Sequence, residues 1–370
     1  MRPALAVRAD AQDFASNALP QTVRWDCGDR LTLEGGDHLD GFSLTYTTLG
    51  RLSAAQDNIV WVLHPLTCSS DVTEWWLDMV GPGKALDPSI HFIICANTLG
   101  SCHGSTGPAN GGGPNHCHAG LKFPQITMAD VVSALDCLRR HLNIDRIALG
   151  VGGSYGGQQL FEWMARAPDL FEHACIIGAS DRQSPWAIAF NEAQRMALEA
   201  DPTFGTDAPN AGSAGLAAAR AIAMLSYRNA ALYASTQADA DNRSSAFRAS
   251  AYQRAVGEKF ARWFDACSYW MLTRIMDSHN IYRGRGTKAE VLTRINSRCL
   301  LVALEADVLF PASDVFEPAT LLPAATCLEL PCDHGHDSIL THAEALSSRI
   351  VEFMDSQSRT LAKAKAEIEG

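Results

Sequence analysis

The 370-residue sequence lacks a surplus of positive charge: 30 lysines and arginines stand against 41 aspartates and glutamates, a formal net charge of −11. A field of that sign repels phosphate backbones and anionic lipid, so neither nucleic acid nor a membrane surface is an expected partner, and a small acidic ligand would need a local basic group. No apolar run reaches about 18 residues, and the opening MRPALAVRADAQDF holds no sustained apolar h-region. The expectation is a cytoplasmic protein without a membrane span. Paired C-x-x-C motifs and internal repeats are missing too. The eleven cysteines, an odd number, are scattered over strand-like and helix-like segments, as at Cys95, Cys137, Cys175 and Cys299, which fits buried reduced thiols rather than a disulfide framework.

What the chain does have is hydrophobic residues, 47% of the total, enough for one large core or a core with a subdomain. Short β-type runs recur at Ile59–Leu63, Phe92–Cys95, Ile147–Val151, Ala174–Gly178, Leu300–Leu304 and Cys327–Leu330, with turn signals and helical patterns between them. Apolar residues at Val131, Val132, Leu135, Leu138 and Leu142 keep helical spacing. The alternation predicts an α/β fold, a largely parallel sheet covered by helices. From about 183 to 290 the strands disappear and Ala, Gln, Arg and Met dominate, which reads as a helical cap inserted between a first core segment, 1–182, and a second, 291–370. Within it, Asp201–Gly212 and Asp239–Ser245 are rich in turn formers and are read as loops. The run NGGGPN at Asn110–Asn115 is read as a surface loop.

The sequence Gly152-Gly153-Ser154-Tyr155-Gly156 matches G-x-S-x-G, follows the strand pattern 147–151 and precedes the helical pattern Gln158–Arg166. Small residues flank the serine because a tight strand-to-helix turn has no room for side chains, and the helix start brings backbone amides near developing negative charge. A serine hydroxyl is a weak nucleophile and needs a base, itself oriented by an acid. His336 and His334 both lie in the loop after the strand pattern 327–330, and Asp307 follows the strand pattern 300–304. Glu305, Asp314 and Asp333 compete for the acid; spacing favours His336 and Asp307 without deciding. The Tyr155 amide and that of Leu66, in His64-Pro65-Leu66-Thr67 after the early strand, are the expected oxyanion donors, although the same segment fits a buried strand end with a polar turn. No metal is expected: the pair His334/His336 has no third ligand at zinc-like spacing, and Cys102, His103, His116, Cys117 and His118 lack a paired signature.

Eight blocks in order, LHPLTCSSDVTEWW, GPGKALD, CANTLGSCHGSTGP, GGSYGGQQLFEW, GLAAARAIAMLSYRN, FDACSYWMLTRIMDSHN, EADVLFP and GHDSIL, resemble the homoserine O-acetyltransferase family from about Thr45 to Ile350. The resemblance implies an α/β-hydrolase core with a helical cap, a homodimer, and transfer of an acetyl group from acetyl-CoA to L-homoserine through an ester on serine, with no metal or redox cofactor. It matches the family's triad to Ser154, Asp307 and His336. It matches Arg220 to the residue that binds the homoserine carboxylate, Tyr227 to its support, Asp337 to the residue that binds the amino group, and Thr67 to the oxyanion-loop threonine. Unaided, Arg220 reads equally as a surface residue, Tyr227 as helix packing and Asp337 as a loop cap. Tyr155, Cys68 and Ala129 stand where family members commonly have methionine, glycine and arginine, and a tyrosine beside the nucleophile puts the shape of the acyl pocket in question. An esterase using the same triad is the main alternative, with serine as acceptor or succinyl-CoA as donor open within the transferase reading.

Overall fold

The computed structural model describes residues 19–110, 119–241 and 244–369, with side chains described to residue 356. In chain order the elements are β1 (Gln21–Thr32), β2 (His38–Leu49), β3 (Ile59–Leu63), β4 (Phe92–Ala96), α1 (Met128–His141), β5 (Ile147–Gly153), α2 (Tyr155–Arg166) and β6 (Phe171–Ile177). Then come α3 (Pro185–Glu199), α4 (Ser213–Tyr227), α5 (Ala230–Gln237), α6 (Arg248–Ala261), α7 (Ala266–Asp277) and α8 (Lys288–Leu292). The chain closes with β7 (Arg298–Leu304), α9 (Ala312–Phe316), β8 (Ala325–Leu330), α10 (Ser338–Thr341) and α11 (Ala343–Glu369).

The eight strands form one sheet in the order β1-β2-β4-β3-β5-β6-β7-β8. From β4 to β8 every neighbouring pair is parallel, while β2 runs antiparallel to β1 and to β4. β3 (IVWVL) and β4 (FIICA) are buried at every residue, as expected of central strands with cover on both faces. The two faces carry separate apolar clusters. One takes in Trp61, Leu135, Trp163 and Ile176; the other takes in Val62, Val151, Val302 and Leu346. The hairpin β1–β2 was not expected from the sequence. Its outer strand, QTVRWDCGDRLT, is largely exposed and spread with charge, so no apolar alternation marks it.

The parallel arrangement decides where chemistry can occur. The C-terminal ends of β3, β4, β5, β6, β7 and β8 all open on one edge, so the loops that follow them converge although the residues lie far apart in sequence. Between β6 and β7 the described residues hold five longer helices and the short α8 but no strand, and α4 brings its face over that edge.

Candidate active site

β5 runs directly into the turn that presents Ser154. The serine backbone has φ 53° and ψ −122°, a conformation L-residues rarely adopt, held by a bond from its N–H to the Ile177 carbonyl at 2.8 Å. The flanking glycines are required by space. A Cβ on Gly156 would lie 1.9 Å from the Leu63 carbonyl oxygen, and one on Gly152 would lie 2.3 Å from that of Gly156. α2 therefore begins in contact with the end of β3.

The three residues the sequence pointed to meet. His336 Nε2 is 2.8 Å from Ser154 Oγ, and His336 Nδ1 is 2.6 Å from Asp307 Oδ2. All three are buried. The other oxygen of Asp307 accepts the N–H groups of Leu309 and Phe310 at 2.8 and 3.0 Å, so the carboxylate is held from both sides. Because the carboxylate accepts a hydrogen bond from Nδ1–H and so keeps the ring proton on that nitrogen, Nε2 is left as the acceptor for the serine hydroxyl. Phe310 stacks on the imidazole at a centroid distance of 5.4 Å and Tyr227 lies at 5.7 Å. Glu305, Asp314 and Asp333 do not reach His336.

Leu66, Thr67, Cys68, Arg220, Tyr227 and Asp337 line the same cleft as Ser154 and His336. Among the described residues, the backbone N–H groups of Leu66 and Tyr155 donate to no protein acceptor, the state required of donors reserved for an oxyanion. The ring of Tyr155 turns away into the core, its hydroxyl 3.4 Å from Thr98 Oγ1, and burial raises its pKa. It neither lines the cleft nor narrows it, which answers the question its position raised. Burial likewise pushes the Cys68 thiol up to about 12, so it stays protonated at neutral pH and does not compete as a nucleophile.

Arg220 and Tyr227 stand seven residues apart on α4 and so share one face. The Arg220 guanidinium lies over the rings of Phe260 and Tyr227, at 4.7 and 5.2 Å, and pairs with no carboxylate among the described residues. Asp337, in contrast, has a partner the sequence reading missed: Arg228 Nε donates to its Oδ2 at 2.9 Å. The adjacency Tyr227-Arg228 at the end of α4 was the only local signal. His334 points elsewhere, its Nδ1 2.6 Å from Asp333 Oδ1, and His342 Nε2 is 3.5 Å from that same oxygen. Asp333, His334 and His342 are a group of described residues whose donor atoms could hold a metal; His336 is not part of it. Cys102 and His103 pack under the cap, where burial raises the first and lowers the second, while His116, Cys117, His118 and most of Asn110–Asn115 lie outside the described residues. The ten described cysteines are all free thiols. No helix among the described residues is long and apolar enough to cross a membrane.

A serine on a strand-to-helix turn, its base and acid delivered from the two strands at one side of a parallel sheet, defines the α/β-hydrolase fold family, and the family model described by that name matches residues 61–343. The chain is 41% identical to the homoserine O-acetyltransferase of Cyclobacterium marinum over 88% of its own length and 93% of that protein. Two solved structures are alike in fold. The homoserine O-acetyltransferase of Bacillus anthracis has a TM-score of 0.84 at 19% identity, covering 91% of this chain and 98% of the other. An acetylester hydrolase from Corynebacterium glutamicum has a TM-score of 0.81 at 22% identity, covering 90% and 96%. The chain belongs to the homoserine O-acetyltransferase family.

Proposed function

We propose that this enzyme, an O-acyltransferase, moves an acetyl group from acetyl-CoA to the γ-hydroxyl of L-homoserine through an ester on Ser154, as a step toward methionine. The observation that carries the reading is the hydrogen-bonded chain from Ser154 through His336 to Asp307, opening on a cleft that also holds the Arg220 guanidinium, paired with no carboxylate among the described residues, and the Asp337 carboxylate. The 41% identity to an enzyme of that name supports the choice of acceptor and acyl group.

In the first half-reaction, Ser154 Oγ attacks the thioester carbon as its proton passes to His336 Nε2. The carbonyl oxygen becomes an oxyanion, stabilised by the amides of Leu66 and Tyr155. Collapse breaks the carbon–sulfur bond, and the imidazolium returns its proton to the departing thiolate. In the second half-reaction the homoserine hydroxyl gives its proton to Nε2 and attacks the acyl carbon; the bond to Oγ breaks and the proton goes back to the serine. Asp307 holds the tautomer and stabilises the imidazolium in both. All protons and electron pairs come from the triad and the two substrates, so the reaction as written needs no metal or redox cofactor.

The acceptor is a zwitterion, and the cleft offers both complements. Arg220 would grip the carboxylate through parallel N–H donors, with Tyr227 and Thr67 beside it. Asp337 would take the ammonium on the oxygen that Arg228 leaves free. The working enzyme is read as a cytoplasmic homodimer. The test is thiol release from acetyl-CoA with and without L-homoserine, run beside hydrolysis of a simple acetate ester. Homoserine-dependent release with formation of the O-acetyl product is expected; rapid ester hydrolysis indifferent to homoserine would make it an esterase instead.

A further inference from the structure

His64 is fully buried at the end of β3, on the first residue of the loop that carries Leu66. Its two ring nitrogens have different partners. The Thr98 N–H, beyond the end of the neighbouring strand β4, donates to Nε2 at 3.1 Å, and Nδ1 lies 2.8 Å from the Pro65 carbonyl oxygen. An amide can only donate and this carbonyl can only accept, so the ring must carry its proton on Nδ1 and hold a lone pair on Nε2. The Pro65 carbonyl also accepts the Cys68 N–H at 3.0 Å.

That carbonyl belongs to the same peptide unit as the Leu66 N–H. Among the described residues no peptide bond is cis, and in a planar trans peptide the C=O and N–H point in opposite directions. Pinning the carbonyl on the His64 side therefore aims the Leu66 N–H to the other side, where Leu66 lines the cleft with Ser154 and the N–H meets no protein acceptor among the described residues. If this plane rotated by half a turn, a carbonyl dipole would face the developing oxyanion in place of a donor.

We propose that His64 is a positioning residue of the oxyanion hole: its Nδ1–H holds the Pro65–Leu66 peptide in the one orientation that presents the Leu66 N–H to the acyl oxygen. The inference rests on the acyl-serine reading and assigns His64 no contact with substrate. It acts before either substrate arrives, and both half-reactions use it.

Two isosteric substitutions separate the nitrogens. His64→Asn keeps a donor near the Nδ1 position, and His64→Gln keeps an acceptor near Nε2 while removing the donor to Pro65. With p-nitrophenyl acetate as acyl donor, a burst of p-nitrophenolate from the wild-type enzyme reports Ser154 acylation, and its absence would overturn the acyl-serine reading itself. Given the burst, the Gln variant is expected to lose about 100-fold in the acylation rate constant at nearly unchanged KM, the size typical of losing one oxyanion donor. The Asn variant should stay within about tenfold of wild type, and a boronic acid that forms a tetrahedral adduct on serine should bind the Gln variant correspondingly more weakly. A Gln variant that acylates as fast as wild type, or an Asn variant as slow as Gln, would overturn the proposal. Nitrogen-15 NMR of the folded wild-type protein needs no substitution: the His64 proton is expected on Nδ1, and a proton on Nε2 would overturn it too.

Discussion

At the scale of single residues, burial fixes the protonation of two histidines, His64 and His279. Desolvation lowers His64 to about 4 and His279, which bonds the Ser180 carbonyl through Nε2, to about 3. Both are then neutral in the folded protein at any pH near neutrality, while in the unfolded chain they take up a proton near the ordinary histidine value of about 6.5. The unfolded state binds more protons below that value, so stability rises with pH through this window and is lost as pH falls from about 6.5 toward 4. Each histidine contributes a slope of up to about 1.4 kcal/mol per pH unit there. Urea unfolding between pH 7 and 4.5 should show the decline. His279→Gln, which keeps a donor to Ser180, should flatten it; an unchanged slope would mean that other groups carry the pH dependence.

At the scale of elements, the nucleophile turn depends on a contact between α2 and the end of β3. Gly156→Ala would drive a methyl group into the Leu63 carbonyl at 1.9 Å, and backbone on both sides leaves little room to yield. A loss of about 3 kcal/mol or more is expected, seen as a lower urea midpoint or as insoluble protein; a midpoint within error of wild type would show that the turn can relax. In the proposed reaction α4 serves the other substrate. Arg220→Ala should impair the homoserine-dependent step at least tenfold more than acyl-enzyme formation, because the guanidinium complements the acceptor carboxylate and takes no part in the attack on the thioester. Single-turnover kinetics check this, and equal losses in both steps would contradict the assignment. The central strands and α1 were legible because their apolar pattern is continuous or helically spaced. β1 was not, since an exposed outer strand with Arg24, Asp26, Asp29 and Arg30 has no face that must be apolar.

At the scale of the whole molecule, the core and the segment after α7 are tied by buried charge. Glu162 on α2 is 2% exposed at its side chain and is gripped by Arg285, one N–H···O distance being 3.0 Å. Nearby, Asp181 accepts from the Tyr282 hydroxyl and faces Lys288 at 3.4 Å. Removing one partner of such a pair strands the other without solvent, so Arg285→Met should cost about 3 kcal/mol in urea unfolding. Adding Glu162→Gln should recover much of it. No recovery in the double variant would indicate that Arg285 stabilises through packing rather than charge.

The sequence alone determined the nucleophile and the kind of fold, because G-x-S-x-G between a strand and a helix is a local steric requirement written in neighbouring residues. It also confined the base and acid to two loops by the strand patterns before them. Spacing left two histidines open for the base and the family resemblance chose His336, but that Arg228 occupies one oxygen of Asp337, that Tyr155 turns into the core, and that His64 braces the peptide before Leu66 were decided only in the tertiary structure. These are contacts between chain ends of different parallel strands, or between α4 and the loop after β8, and no spacing in the linear chain records which atoms meet when the sheet brings those ends together.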